Sequence, residues 1–230
     1  MRMRTLGMEN FKKTKIYALT DEALSKGRSN LEVVDQMIQA GITFLQYREK
    51  EKTAREMYEQ CTELRKMTRA AKVTFVIDDF VDLALAVDAD GVHIGQDDLP
   101  AQIVRKLIGP DKILGLSTHC PEQLHLAEAL GLVDYIGVGP VFATQTKKNV
   151  SAPVGLDFVR YAATRGKLPF VAIGGIKEHN IADVCAAGAQ TVAVVSAIVG
   201  AEDIGAKVKS MQKLMDILPA SGAKLSLTSI

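Results

Sequence analysis

The sequence predicts an α/β fold: a single (β/α)8 barrel of parallel strands in a chain of 230 residues. Three observations lead there. Short, almost continuously apolar runs alternate with helical patterns, as expected of a parallel sheet covered on both faces. Eight such runs and eight helical segments share the 230 residues, about 28 per unit, which suits one small barrel better than two domains. The chain also passes repeatedly from a helix end through Gly into a strand, in QAGITF, DADGVHIG, ALGLVDYIGVG and AAGAQTVAVV. Glycine takes the left-handed helix-stop conformation there without steric cost. An open doubly wound sheet is the alternative arrangement of the same pattern.

In chain order, residues 1–14 read as a short basic extension, MRMRTLGMENFKK and the residue after it, without the apolar stretch of a secretory signal. Strands are expected at 15–20, 42–48, 73–78, 91–95, 113–117, 135–139, 170–174 and 191–196. Between them, LEVVDQMIQA puts Leu31, Val34, Met37 and Ile38 on one helical face, and FVDLALAV, AQIVRKLI, EQLHLAEAL and NIADVCAAG repeat that spacing. No low-complexity linker divides the chain. The domain core is placed at about 15–217, and the tail, 218–230, ending PASGAKLSLTSI, reads as poorly ordered.

Composition narrows the function. Lys and Arg number 28 against 27 Asp and Glu, a net charge of +1. No global field exists to hold nucleic acid or an anionic membrane, so an anion site must be local. With 5% aromatics and no Trp, the stacking platform of a single-strand binder is missing. The most apolar segment, 191–201, is far short of the ~20 residues a membrane span needs. Cys61, Cys120 and Cys185 are far apart and form no CxxC. That argues against a disulfide framework or a zinc knuckle and places the chain in the cytoplasm, with Cys185 as a core residue.

In such a barrel, chemistry sits where strands end and the following loops begin. Polar residues collect there: Gln46-Tyr47-Arg48-Glu49-Lys50 after the second strand, Asp78-Asp79 after the third, and Gly95-Gln96-Asp97-Asp98 after the fourth. Ser117-Thr118-His119 ends the fifth, a stretch through Thr144-Gln145-Thr146-Lys147 follows the sixth, and Gly174-Gly175 and Val195-Ser196 close the seventh and eighth. Arg48, Lys50 and Lys147 suit phosphate oxygens. Asp79 and Asp98 lie one βα unit apart, and two carboxylates held together with phosphate nearby suit Mg²⁺. Gly174-Gly175 and Val195-Ser196 read as a separate site whose backbone suits a monophosphate. The rim therefore reads as holding a metal-bound diphosphate and a second phosphate, as in joining two phosphorylated small molecules.

QYREK, the acidic step after the third strand, DGVHIGQDD, Ser-x-His, DYIGVGPVFATQTKK, VAIGGI and VAVVSAI resemble the thiamine-phosphate synthase family, in order, from about Ile16 to Ile198. The resemblance implies an alkyl transfer: hydroxymethylpyrimidine diphosphate joins a thiazole phosphate, normally carboxylated, giving thiamine monophosphate and diphosphate. It implies that Gln46, Tyr47, Arg48, Glu49, Lys50, Asp78, Ser117 and Lys147 contact the pyrimidine diphosphate. Arg48, Lys50, Lys147 and Ser117 would serve catalysis, and Asp79 and Asp98 would hold one Mg²⁺. Thr144, Gln145, Thr146, Gly175, Val195 and Ser196 would take the thiazole phosphate. The chain departs from the family in Asp78, normally Asn, and Ala143, normally Pro. His93 reads as a supporting residue and His119 as one lining the pocket. A thiazole tautomerase, a phosphosugar isomerase and a catalytically silent precursor-binding barrel are the rivals; none needs both the acid pair and the cations. Oligomeric state is not legible.

Overall fold

A computed structural model describes residues 3–144 and 152–216. Gln145, Thr146, Lys147 and the expected tail therefore lie outside the described residues. Eight parallel strands close into a barrel in sequence order: β1 Ile16–Leu19, β2 Phe44–Tyr47, β3 Thr74–Asp78, β4 Gly91–Ile94, β5 Ile113–Thr118, β6 Tyr135–Val138, β7 Phe170–Ile173 and β8 Val192–Val194. Closure is made by β1 on β8, with Tyr17 opposite Ala193. Every expected strand is present, all but β5 shortened by a residue or two at an end and β5 longer by one, and the closed barrel excludes the doubly wound alternative.

The helices are α1 Met3–Lys13, α2 Asn30–Gln39, α3 Ala54–Ala70, α4 Val81–Ala86, α5 Ala101–Ile108, α6 Pro121–Leu130, α7 Gly155–Arg165, α8 Ile181–Ala186, α9 Ser196–Val199 and α10 Ile204–Asp216. Local chemistry sets several ends. Ser29 with Glu32 and Thr53 with Glu56 form reciprocal capping boxes that start α2 and α3. Left-handed glycines follow α2, α6 and α8, at Gly41, Gly131 and Gly188. The expectation fails at Gly91. There Asp88 takes the left-handed position (φ 50°), and Gly91 is already in β4, where a Cβ would lie 2.5 Å from the Ile113 carbonyl oxygen.

Both faces of the sheet are buried. Outward residues such as Leu45, Phe75, Val92, Leu114, Ile136 and Val194 join the helices in one large cluster. Inward residues form a second cluster of Tyr17, Phe44, Val76, Ile113, Tyr135, Val171 and Ala193. The expected extension is in fact α1, which crosses the N-terminal end of the barrel. Its Phe11 is buried among Tyr17, Phe44 and Tyr135, with ring centroids 4.7 Å from Tyr135 and 5.3 Å from Phe44. Arg4 Nε donates to Asp134 at 2.6 Å and Asn10 Nδ2 to Thr74 Oγ1 at 2.9 Å, which fixes the plug at its edges.

Candidate active site

The opposite, C-terminal end opens into a cavity of about 550 Å³ whose walls come from all eight strands or their loops. The second strand shows how the sequence divides its side chains. Residues alternate faces along a strand. Gln46 points in, its Nε2 donating to the Tyr17 hydroxyl at 3.0 Å, and Arg48 lines the cavity. Tyr47 points out and donates to Gln60 Oε1 at 2.8 Å. Glu49 also turns away: its Oε1 accepts from the Glu22 amide at 2.9 Å and from Asn30 Nδ2 at 2.6 Å. Tyr47 and Glu49, expected to contact substrate, are thus in the layer between strand and helices. Glu49 anchors the turn after β1, and burial pushes the Tyr47 phenol far above its ordinary range.

Arg48 is buried. Its Nη1 donates to Asp21 at 2.9 Å and its Nε lies 3.8 Å from Asp78. Its backbone N–H is held by Thr20 Oγ1 at 2.9 Å. The fork is thereby set in one orientation, facing the cavity. Lys50 stands at the lip, with Nζ 2.6 Å from Asp79 Oδ2 and 3.4 Å from Asp78 Oδ2. Burial works against its ammonium charge, but Asp78 and Asp79 outweigh it, so its pKa lies above that of an ordinary lysine.

Asp78 and Asp79 are neighbours, and strand alternation would send them to opposite faces. Both line the cavity because Asp79 leaves the strand with φ 63°, a left-handed conformation that Asp tolerates better than most residues. After the neighbouring strand β4, Asp98 Oδ2 accepts from the Gly95 amide at 2.6 Å, which ties the GQDD loop back to the end of that strand. Among the described residues no group of three or more His, Cys, Asp or Glu could hold a metal ion unaided. Mg²⁺ characteristically takes one or two carboxylates and completes its octahedron with substrate phosphate and water. Two carboxylates lining one cavity beside the cations Arg48 and Lys50 fit that habit.

Ser117 lies inside the mouth, its Oγ 3.0 Å from His93 Nε2. His119 Nδ1 donates to the Gly139 carbonyl at 2.6 Å, so the ring lines the cavity with its δ nitrogen engaged. Gln96 Nε2 donates to the Ser117 carbonyl at 2.6 Å. The far wall is backbone. Gly174 (φ 104°) and Gly175 (φ 65°) line it. What approaches Gly175 most closely is the loop after β6: a Cβ there would lie 2.7 Å from the Ala143 carbonyl oxygen. Asn180 Nδ2 donates to the Gly175 carbonyl at 3.0 Å. Val195, Ser196 and Thr144 complete this wall. The expected cluster is therefore brought together at Gln46, Arg48, Lys50, Asp78, Asp79, Asp98, Ser117, Thr144, Gly175, Val195 and Ser196. The residues that sequence reasoning missed are Tyr17, which lines the cavity floor, Tyr135, which bonds to it from below, and Asp21, the partner of Arg48.

Comparison with known proteins agrees with this placement of the fold. Residues 16–198 match the family described as thiamine monophosphate synthase. A thiamine-phosphate synthase of Pelotomaculum thermopropionicum is 57% identical over 213 residues, covering 93% of this chain and 97% of that one. One from Caldicellulosiruptor saccharolyticus is 51% identical, covering 92% and 94%. Among solved structures, the thiamine phosphate pyrophosphorylase of Pyrococcus furiosus superimposes with a TM-score of 0.80 at 38% identity, over 89% of this chain and 96% of that one. No helix of the described residues is long and apolar enough to cross a membrane.

Proposed function

The chain belongs to the thiamine monophosphate synthase family and is an enzyme of thiamine phosphate synthesis; from that premise we propose that its cavity joins 4-amino-2-methyl-5-hydroxymethylpyrimidine diphosphate to a thiazole phosphate or its carboxylated form. The bond between the pyrimidine methylene carbon and the diphosphate oxygen breaks, and its electron pair leaves with diphosphate. The thiazole nitrogen lone pair then forms the new C–N bond, and CO2 is lost when the carboxylate was present. The observation that carries this reading is the split wall of one cavity, with Arg48, Lys50, Asp79 and Asp98 on one side and the Gly175 and Val195–Ser196 backbone on the other.

Arg48 is held by Asp21 and needs little reorganisation to grip phosphate oxygens, so it stabilises charge as it develops on the leaving diphosphate. Lys50 and Lys147 add positive charge to the same group. Gln46 and Ser117 orient the pyrimidine ring, while Thr144, Gln145, Thr146, Gly175, Val195 and Ser196 hold the thiazole phosphate. Mg²⁺, taken by Asp79 and Asp98, would neutralise diphosphate charge as a Lewis acid when bound. The decisive experiment incubates the protein with both substrates and Mg²⁺ and assays thiamine phosphate. Product is expected, with turnover abolished by EDTA and restored by Mg²⁺. EDTA should leave the melting temperature of the substrate-free protein unchanged, since two rim carboxylates are not a folding cage. Absence of product overturns the reaction; full activity in EDTA overturns the metal.

A further inference from the structure

Five inward side chains form a continuous chain across the barrel: Gln46 on β2, Tyr17 on β1, Tyr135 on β6, His93 on β4 and Ser117 on β5. Gln46 Nε2 lies 3.0 Å from the Tyr17 hydroxyl, which is 2.8 Å from that of Tyr135. The Tyr135 hydroxyl is 3.0 Å from His93 Nδ1, and His93 Nε2 is 3.0 Å from Ser117 Oγ. Both tyrosines and the histidine are buried. None of the three carries a role in the reaction proposed above.

We propose that Tyr17, Tyr135 and His93 are positioning residues that hold His93 in the Nε2–H tautomer and so turn the Ser117 hydroxyl into a donor aimed at the cavity. The argument is one of polarity. An amide nitrogen only donates, so the Tyr17 oxygen accepts from Gln46. Each phenol has a single hydrogen. Tyr17 has no third hydrogen-bond partner among the described residues, so its hydrogen goes to Tyr135. The Tyr135 hydrogen then goes to His93 Nδ1, which leaves the ring proton of neutral His93 on Nε2. Ser117 Oγ accepts that proton, and its own hydrogen is left for a ligand. Burial pushes both phenols well above their ordinary range, so neither loses the hydrogen this order requires.

A second observation is independent of any hydrogen position. Strand register places His93 opposite Gly115, and Gly115 opposite Tyr135. The tyrosine reaches the histidine only by crossing β5, and it crosses where β5 carries no side chain. A Cβ on Gly115 would collide with His93 Nδ1 and with Tyr135 Cζ, at the middle of their contact.

The proposal rests on the assignment of Ser117 to the pyrimidine site, and its test separates the two. Long-range 1H–15N spectra of the histidine-labelled protein read which ring nitrogen is protonated, with the His93 signals identified by their loss in His93→Gln. The wild type should show His93 as Nε2–H, and Tyr135→Phe should lose that single-tautomer signature. Tyr135→Phe and His93→Leu should lower kcat/KM for the pyrimidine diphosphate about tenfold, the scale of one net hydrogen bond, with KM for the thiazole phosphate unmoved. His93→Gln, which keeps an N–H at the ε position, should recover most of that loss; a merely structural role would move both substrates together. An Nδ1–H tautomer in an active wild type overturns the relay, as does unchanged kcat/KM in both variants. An Nε2–H tautomer in a wild type that makes no thiamine phosphate supports the relay's geometry and overturns the reaction instead.

Discussion

The lower and upper halves of the barrel interior are built by the same eight strands from opposite materials. Below, Phe11, Tyr17, Phe44, Ile113 and Tyr135 pack ring on ring under α1, with Tyr17 and Phe44 centroids 4.6 Å apart. Above, two residues beyond Phe44 on β2 and Val76 on β3, and four beyond Ile113 on β5, the inward positions become Gln46, Asp78 and Ser117. The lower half removes apolar surface from water and holds the strands together; the upper half holds charges that repay their burial only through partners or ligand. The contrast teaches that stability and chemistry are separated by two to four residues of strand rather than by domain. The tyrosines straddle the boundary, rings below and hydroxyls above.

Substitutions can break or sharpen that separation. Phe44→Ala empties part of the lower half and should cost about 3–5 kcal/mol, lowering the melting temperature on the order of 10 °C. Turnover of the folded protein should stay within about twofold. Thermal unfolding beside an assay well below the transition checks this; a stable but inactive variant would show that the halves are not separate. Lys50→Ala is the converse. It should lower kcat by on the order of 10²–10³, the scale for one electrostatic donor, with little change in melting temperature, because a half-exposed pair contributes at most ~1 kcal/mol.

Smaller effects test the upper half alone. Asp78 is inward and shares Arg48 and Lys50 with the incoming phosphates. Asp78→Asn should therefore lower KM for the pyrimidine diphosphate roughly 3- to 10-fold and raise the Mg²⁺ concentration required. Steady-state titrations of each would decide it, and no change in either would remove Asp78 from the site. Ser196→Ala should be the mildest, raising KM for the thiazole phosphate about 3- to 10-fold at constant kcat, since it acts on a phosphate remote from the breaking bond. A matching rise for the pyrimidine substrate would collapse the two-sided cavity into one.

The eight strands were legible because burial on both faces leaves continuous apolar runs, and the rim was legible because polar residues accumulate at only one strand end. Other features were hidden for physical reasons. QYREK reads as one motif, but a pleated strand sends Tyr47 and Glu49 to the helix side. The plug α1 is short and interrupted by Gly7, which lowers helix propensity; that glycine is explained only by the packing it permits, since a Cβ there would meet Ile113. The paired glycines at 174 and 175 suggest ligand approach, yet the close neighbour is the chain's own loop. The tyrosine–histidine contact depends on cross-strand register, which nothing along a single strand announces.

Gly115 also constrains the order in which this sequence can change. Any other residue at 115 adds a Cβ where Tyr135 and His93 already meet, so the first step would be harmful while both rings remain. Replacement of Tyr135 by a smaller residue would have to come earlier, and that step takes the Tyr135 hydroxyl away from both the Tyr17 hydroxyl and His93 Nδ1. Neither order is neutral. Positions 93, 115 and 135, 42 residues apart at the extremes, should therefore drift as a block or not at all, a ratchet imposed by the one residue of the three that has no side chain.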